Sequence, residues 1–367
     1  MNIEFISDAY TEDGLKLPMV HFENEEKDIC VICIHGMCGA IIDNYFATVW
    51  GKYLSSNNIG FIYEHNRGHS IENDIVIKDG SFKRCGCMYE IFEDCTYDID
   101  LAIKTAKEKG YKRTILLGHS YGCNKIIYYY YKKHPNILGI ILASAPDMVG
   151  SHMLAQSNDY SELITEAKNN IDNSEPTKLL HKMIEDYMYM SSQTYYNWFN
   201  ENSNLDNLPT VRNNNKWNQF ESIDVPVLTF SGSDEEDYYL QLDLLKDKAI
   251  NCNNFESQII ENTGHTYKWK EEETAKLILD DSVGNKKWIY PYILTRDEKY
   301  LNIRAFTESE RQATYLKQDW ICAKCGKHFQ IEEMEADHIT PRSQWGQTVL
   351  ENCQMLCRDC NRRKSDK

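Results

Sequence analysis

The sequence has no low-complexity tract, no internal repeat and no apolar run approaching the ~20 residues that a membrane helix needs. These absences exclude a repeat solenoid, a disordered scaffold and a helical membrane span. The first residues, Met-Asn-Ile-Glu-Phe, lack the basic and apolar regions of a secretory leader. An excess of positive charge is missing as well: 40 Lys and Arg face 56 Asp and Glu, a formal net charge of −16. A body this acidic repels nucleic acid and anionic membranes alike. The 13 cysteines are odd in number, and Cys30 and Cys33 fall inside an expected core strand. They do not form a disulfide framework by pattern, and most are expected as free thiols in a reducing, cytoplasmic setting.

What is present is the composition of a folded protein, 42% hydrophobic, in a chain of 367 residues that suggests two domains. Charge divides them. From Lys286 onward 15 Lys and Arg face 12 Asp and Glu, so the whole negative excess lies upstream and phosphate binding is expected in the tail.

The run Ile-Cys-Val-Ile-Cys-Ile at 29–34 is short and wholly apolar, as a central parallel strand requires. Similar runs recur at 114–117, 138–142, 225–230 and 258–260, with helical patterns between them at 94–109 and 121–133. This alternation predicts an α/β fold with a mostly parallel sheet covered on both faces. It breaks at 149–222, a stretch rich in Tyr, Trp and Asn, where the spacing of Leu179, Leu180, Met183, Ile184 and Tyr187 predicts a helical cap. The polar, Gly-containing segment from Asp281 marks a boundary, giving a first domain at 1–280, a linker at 281–305 and a second domain at 306–367.

Gly118-His119-Ser120-Tyr121-Gly122 follows an expected strand and opens an expected helix, the context in which Gly-x-Ser-x-Gly exposes a serine on a strained turn. His35-Gly36-Met37, Ser231-Gly232-Ser233-Asp234 and Asn262-Thr263-Gly264-His265 each end a strand. In the order Ser, Asp, His, these pieces resemble the α/β-hydrolase superfamily. The resemblance implies Ser120 as nucleophile, His265 as general base and Asp234 as the orienting carboxylate, with Glu235 or Asp237 as alternatives. It also implies an oxyanion hole from the backbone N–H groups of Met37 and Tyr121. His119 and Cys123 read as packing. The acyl substrate stays open, as does a ligand-sensing role without turnover.

Cys322-x-x-Cys325 and Cys357-x-x-Cys360 are two knuckles that can close a tetrahedral zinc site with no open position, so the zinc is expected to be structural. Between and after them lie Met334-Glu-Ala-Asp337-His338-Ile339, Asn352 and Asn361-Arg362-Arg363-Lys364. This order resembles the zinc-bearing HNH endonuclease family, whose fold is a ββα-metal finger. The resemblance implies His338 as general base, Asp337 and Asn361 as ligands of Mg²⁺ or a similar cation, and Asn352 as the residue that pins the loop carrying His338. It assigns DNA phosphate contacts to Arg342, Arg358, Arg362, Arg363 and Lys364. Trp345-Gly346 departs from the paired glycines common in the family, and His328 is expected to be non-catalytic. The expectation is therefore a DNA endonuclease fused to a serine-hydrolase-type domain, an architecture that fits a bacterial anti-phage effector. Its rivals are an acyl hydrolase whose tail only binds nucleic acid and a hydrolase-fold sensor that controls the nuclease. An oligomer is left open, and no membrane partner is expected.

Overall fold

Short apolar runs become the middle strands, because a strand covered on both faces has no polar side to show. The structure, a computed structural model, describes residues 2–184, 186–212, 214–279, 306, 308–340 and 350–365. It divides into two compact units, Met1–Leu279 and Asp280–Lys367. The expected linker at 281–305 lies outside the described residues, as do Arg342 and Trp345-Gly346.

The first unit contains β1 (Asn2–Ile6), β2 (Met19–Glu23), β3 (Ile29–Ile34), α1 (Tyr45–Ser56), β4 (Gly60–Glu64), β5 (Asn73–Val76), β6 (Phe82–Cys85), α2 (Cys95–Glu108), β7 (Arg113–His119), α3 (Tyr121–Lys133) and β8 (Ile140–Ala143). It continues with α4 (Met148–Ala155), α5 (Tyr160–Asp172), α6 (Ser192–Phe199), α7 (Asn218–Glu221), β9 (Val227–Gly232), α8 (Leu242–Lys248), β10 (Phe255–Ile260) and α9 (Glu271–Ile278). Eight strands form one sheet in the order β1-β2-β4-β3-β7-β8-β9-β10. From β4 to β10 every pairing is parallel, while β1 and β2 join antiparallel at one edge. All six residues of β3 and six of the seven of β7 are buried. Parallel order brings the C-terminal ends of β3, β7, β9 and β10 to one edge of the sheet, where the loops that follow them meet.

The cap is helical in α4 to α6, but not where the spacing predicted it around 179–187. There the chain carries isolated bridges, Leu179 to Ser191 and Ile184 to Met188, and turns back at Asp186, whose φ is +54°. Leu180, Ile184 and Met188 are buried at i, i+4 spacing. That spacing imitates a helical face, yet the side chains reach the cap core from a folded-back strap. Tertiary burial has overridden local periodicity.

The second unit contains α10 (Glu308–Lys317), β11 (Met334–His338), β12 (Cys353–Cys357) and α11 (Arg358–Ser365). β11 and β12 pair antiparallel, with Met334 opposite Cys357 and His338 opposite Cys353, and α11 follows directly. This is a ββα unit. Its buried apolar side chains include Met334, Met355 and Leu356, packed with Tyr315, Phe329 and Ile331.

Candidate active sites and metal centre

Ser120 sits between β7 and α3 with φ +54° and ψ −130°, a strained conformation whose side chain caps nothing. The turn tolerates no neighbouring Cβ. A methyl group on Gly122 would stand 2.2 Å from the Ile34 carbonyl oxygen, and one on Gly36 would stand 2.8 Å from Ser120 Cβ. The loop after β3 therefore lies against the serine. Among the described residues, no backbone acceptor takes the N–H of Met37 or Tyr121.

The carboxylate that meets His265 is Glu235, at 2.8 Å between Oε2 and Nδ1, and not Asp234. Asp234 is exposed and accepts from the Ser233 hydroxyl. The bend after β9 explains the exchange: the Asp234 N–H goes to the Thr263 carbonyl, which leaves the next side chain aimed inward. Glu235 is buried, and its Oε1 accepts from Ser144 Oγ at 2.7 Å and from the Gly232 N–H at 2.6 Å. Ser144 Oγ also lies 2.5 Å from the Tyr267 hydroxyl. A carboxylate with both oxygens engaged has one orientation, and that orientation fixes the imidazole.

Two side chains that the sequence did not single out for the site hold His265 from other directions. His119 packs 4.7 Å from it, ring to ring, and its Nε2 is 2.8 Å from the His265 carbonyl oxygen. A carbonyl only accepts, so Nε2 carries the hydrogen. Burial, reinforced by His265, pushes the His119 pKa down to about 3 and keeps the ring neutral. The Tyr239 ring also lies 4.7 Å from His265, and Tyr239 lines the same cavity as Ser120. Tyr239 falls four residues after Glu235 in an acidic, aromatic run, which gave no motif to find it by. Beneath the serine, α3 is anchored by Lys125, whose Nζ is 2.5 Å from Glu90 Oε1 in a fully buried pair. Arg67 is likewise buried and clamps Asp98, Asp13 and Asp94, so it serves the scaffold.

In the second unit the ligand sulfurs of Cys322, Cys325, Cys357 and Cys360 all lie within 4.8 Å of one another, and Cys325 and Cys357 are 4.0 Å apart. Zn–S bonds of about 2.3 Å in a tetrahedron place sulfurs roughly 3.8 Å apart, so the four thiols fit zinc. Gly326, with φ +69°, turns the first knuckle. Burial works against ionising Cys322, but the N–H groups of Cys325, Cys357 and Lys324 outweigh it and bring that thiol to about 6, the direction a thiolate ligand needs.

The other residues of this unit are only partly brought together. Asp337 Oδ2 accepts from Gln354 Nε2 at 2.9 Å and pairs with Lys364 Nζ at 2.6 Å. Asn361 Nδ2 donates to Glu335 at 2.7 Å. Glu335 and Asp337 share one face of β11, and Asn361 and Lys364 share one face of α11, so two carboxylates and an amide line the same groove. These are hard oxygen donors, and the Lys364 ammonium stands where a positive charge is favoured. Lys364 is thus tied to Asp337, and Arg358 donates to the Glu332 carbonyl at 2.7 Å; neither is poised for phosphate in this arrangement. Arg362 and Arg363 are exposed. The His338 ring packs 4.5 Å from Phe306. Asn352 holds the segment after His338 by paired bonds to the Thr340 backbone, at 2.8 and 3.1 Å.

Residues 92–285, more than half of the chain, match the family described as a protein of unknown function, DUF1749. The chain belongs to that family. Residues 322–367 match the HNH endonuclease family, and no curated protein matches the chain. Solved structures similar to the first unit share its fold at low identity. DcsB in complex with its substrate analogue has a TM-score of 0.54 at 11% identity, covering 76% of this chain and 98% of that one. The α/β hydrolase GrgF from Penicillium sp. sh18 has 0.52 at 14%, covering 75% and 95%. A soluble variant of monoglyceride lipase from Saccharomyces cerevisiae has 0.51 at 14%, covering 77% and 96%. This DUF1749 chain therefore carries an α/β-hydrolase fold followed by an HNH module with a cysteine cluster suited to zinc. No helix among its described residues is long and apolar enough to cross a membrane.

Proposed function

We propose that the chain is a double hydrolase, a serine acyl hydrolase joined to a metal-dependent HNH DNA endonuclease. The observation that carries the first activity is the Glu235–His265 pair, packed on His119, the residue that precedes a serine held at φ +54°. His265 takes the Ser120 proton as Oγ attacks an acyl carbonyl, and the N–H groups of Met37 and Tyr121 receive the charge that develops on oxygen. His265 then returns the proton to the leaving group, and water repeats the sequence to free the acid and Ser120.

For the nuclease, the support is the HNH match over a ββα unit bearing four clustered sulfurs. The zinc braces the fold. Asp337, Asn361 and the neighbouring Glu335 are the oxygen donors for a Mg²⁺-like cation, which when bound supplies positive charge to the phosphate. His338 accepts the proton of the attacking water, Asn352 positions its loop, and the exposed Arg362 and Arg363, with Arg342, contact the phosphate backbone; Arg358 and Lys364 join them only on releasing Glu332 and Asp337. The pairing of Lys364 with Asp337 favours a second reading, in which the module binds nucleic acid without cutting it. Plasmid DNA incubated with Mg²⁺ separates the two: cutting by the native chain and not by His338→Ala supports the nuclease, and equal outcomes reject His338 as base. A fluorophosphonate probe is expected to label the native chain and spare Ser120→Ala. A role as an anti-phage effector rests on the fusion alone.

A further inference from the structure

The cap closes over Ser120 to leave a cavity of about 100 Å³. An apolar cavity of roughly 150 Å³ is one that takes up benzene, so the space beside the serine is too small for an aromatic ring. Its wall is rich in thioethers: Met37, Met148, Met188 and Met190 join Ile184 and Trp198. No Asp, Glu, Lys or Arg side chain lines it, and its polar groups include Ser151, His152 and tyrosines, with His152 Nε2 3.1 Å from the Tyr195 hydroxyl, so a charged substrate group meets no fixed opposite charge. Trp198 is fully buried and packs 4.5 Å from the Tyr121 ring, directly over the nucleophile turn. Met188 sits on the strap that folds back at Asp186, 3.8 Å from the Cys38 sulfur.

Size and chemistry together restrict what can be bound. At about two-thirds of the volume that takes up benzene, the cavity holds roughly four carbon atoms. Building on the serine-hydrolase reading above, we infer that this site acts on short, uncharged, aliphatic acyl esters, with the acyl chain seated between Trp198 and the methionines of the cap. Long-chain lipids and aromatic acyl groups are excluded by size, and acyl groups ending in a carboxylate or an amine are disfavoured by a wall with no Asp, Glu, Lys or Arg. Polar groups near the opening, such as the half-exposed Tyr187, leave room for a varied alcohol portion, so selectivity resides on the acyl side.

The test compares nitrophenyl acetate, butyrate, octanoate and benzoate by kcat/KM on the full chain, with labelling by a small ethyl fluorophosphonate as an independent readout of Ser120. Butyrate is expected to exceed octanoate and benzoate by about 100-fold or more, since each misfit methylene costs on the order of 10-fold. Trp198→Ala, and Ile184→Ala should the first variant lose its cap, are expected to raise the octanoate-to-butyrate ratio about 10-fold while labelling persists. Labelling with octanoate or benzoate turned over as well as butyrate overturns the size inference alone. Absence of both labelling and ester turnover overturns the serine-hydrolase reading and this inference with it.

Discussion

The two units of this chain solve the same problem by opposite means. The first buries an eight-stranded sheet between helices and sets Trp50, Trp198, Trp217 and Tyr121 wholly out of solvent. Among its described residues, the second buries Met334, Met355 and Leu356 around a two-stranded ladder. So few apolar side chains do not offset the entropy of ordering such a segment. The four cysteines take over where the core stops, and Cys322, Cys357 and Cys360 belong to the same buried cluster as those three residues. A large core tolerates the loss of a contact; a small one whose four thiols are suited to zinc would not tolerate the loss of that ion.

The most direct way to break the comparison is to remove the ion. A strong chelator, or Cys357→Ser, is expected to cost the second unit about 10 kcal/mol, the scale of structural zinc sites, and so to unfold it. Hydrogen exchange is expected to rise throughout residues 308–365 with no change across β3, β7 and α3. Protection that persists in β11 and β12 would mean that the small apolar cluster suffices.

The next effect belongs to the first unit and concerns which carboxylate orients His265. Glu235→Gln is expected to lower acyl hydrolysis by roughly 10⁴-fold, as loss of a triad carboxylate does by letting the wrong imidazole tautomer prevail. Asp234→Asn is expected to leave kcat within about 3-fold, as befits an exposed residue one position away. Matching losses in the two variants would reject the geometry.

That pair of residues also shows how far the sequence could be read. Wholly apolar runs gave the parallel strands, Gly-x-Ser-x-Gly gave the nucleophile turn, and paired Cys-x-x-Cys gave the sulfur cluster, because each pattern has one cheap structural solution. Asp234 and Glu235 are adjacent acids, and the choice between them is made by a single backbone bond, from the Asp234 N–H to the Thr263 carbonyl. No local pattern encodes a bond across 29 residues. The edge hairpin of β1 and β2 was missed because β1 is largely exposed and lacks an apolar run. The strap at 179–187 misled for the converse reason, since its spacing was helical and its packing was not.

A smaller effect tests whether the first unit's core depends on its buried ions. Lys125→Met removes the ammonium and strands Glu90, which is fully buried and has no other cation bonded to it among the described residues. The expected loss is about 3–5 kcal/mol, the usual cost of breaking one half of a buried pair, seen as a lower urea midpoint. The double variant Lys125→Met, Glu90→Gln should recover much of that loss by removing the stranded charge.

The mildest effect is a dependence on pH, and it too should separate the units. Burial lowers the His65 pKa from 6.5 to about 4 and that of His119 to about 3. Both rings fold neutral, and the unfolded chain takes up their protons first. Their contribution is therefore complete above pH 6.5 and is lost as pH falls towards the folded values, with roughly 3 kcal/mol at stake for His65 alone. Denaturant midpoints of the first unit, followed by its buried tryptophans, are expected to fall steadily from pH 7 to pH 4.5. His65→Gln should flatten that slope, because a side chain that cannot titrate has no proton to gain on unfolding. A slope unchanged by the substitution would assign the acid sensitivity to the other histidines that burial lowers, His21, His35 and His69, since Glu64 and Glu90, which burial raises, gain stability as pH falls.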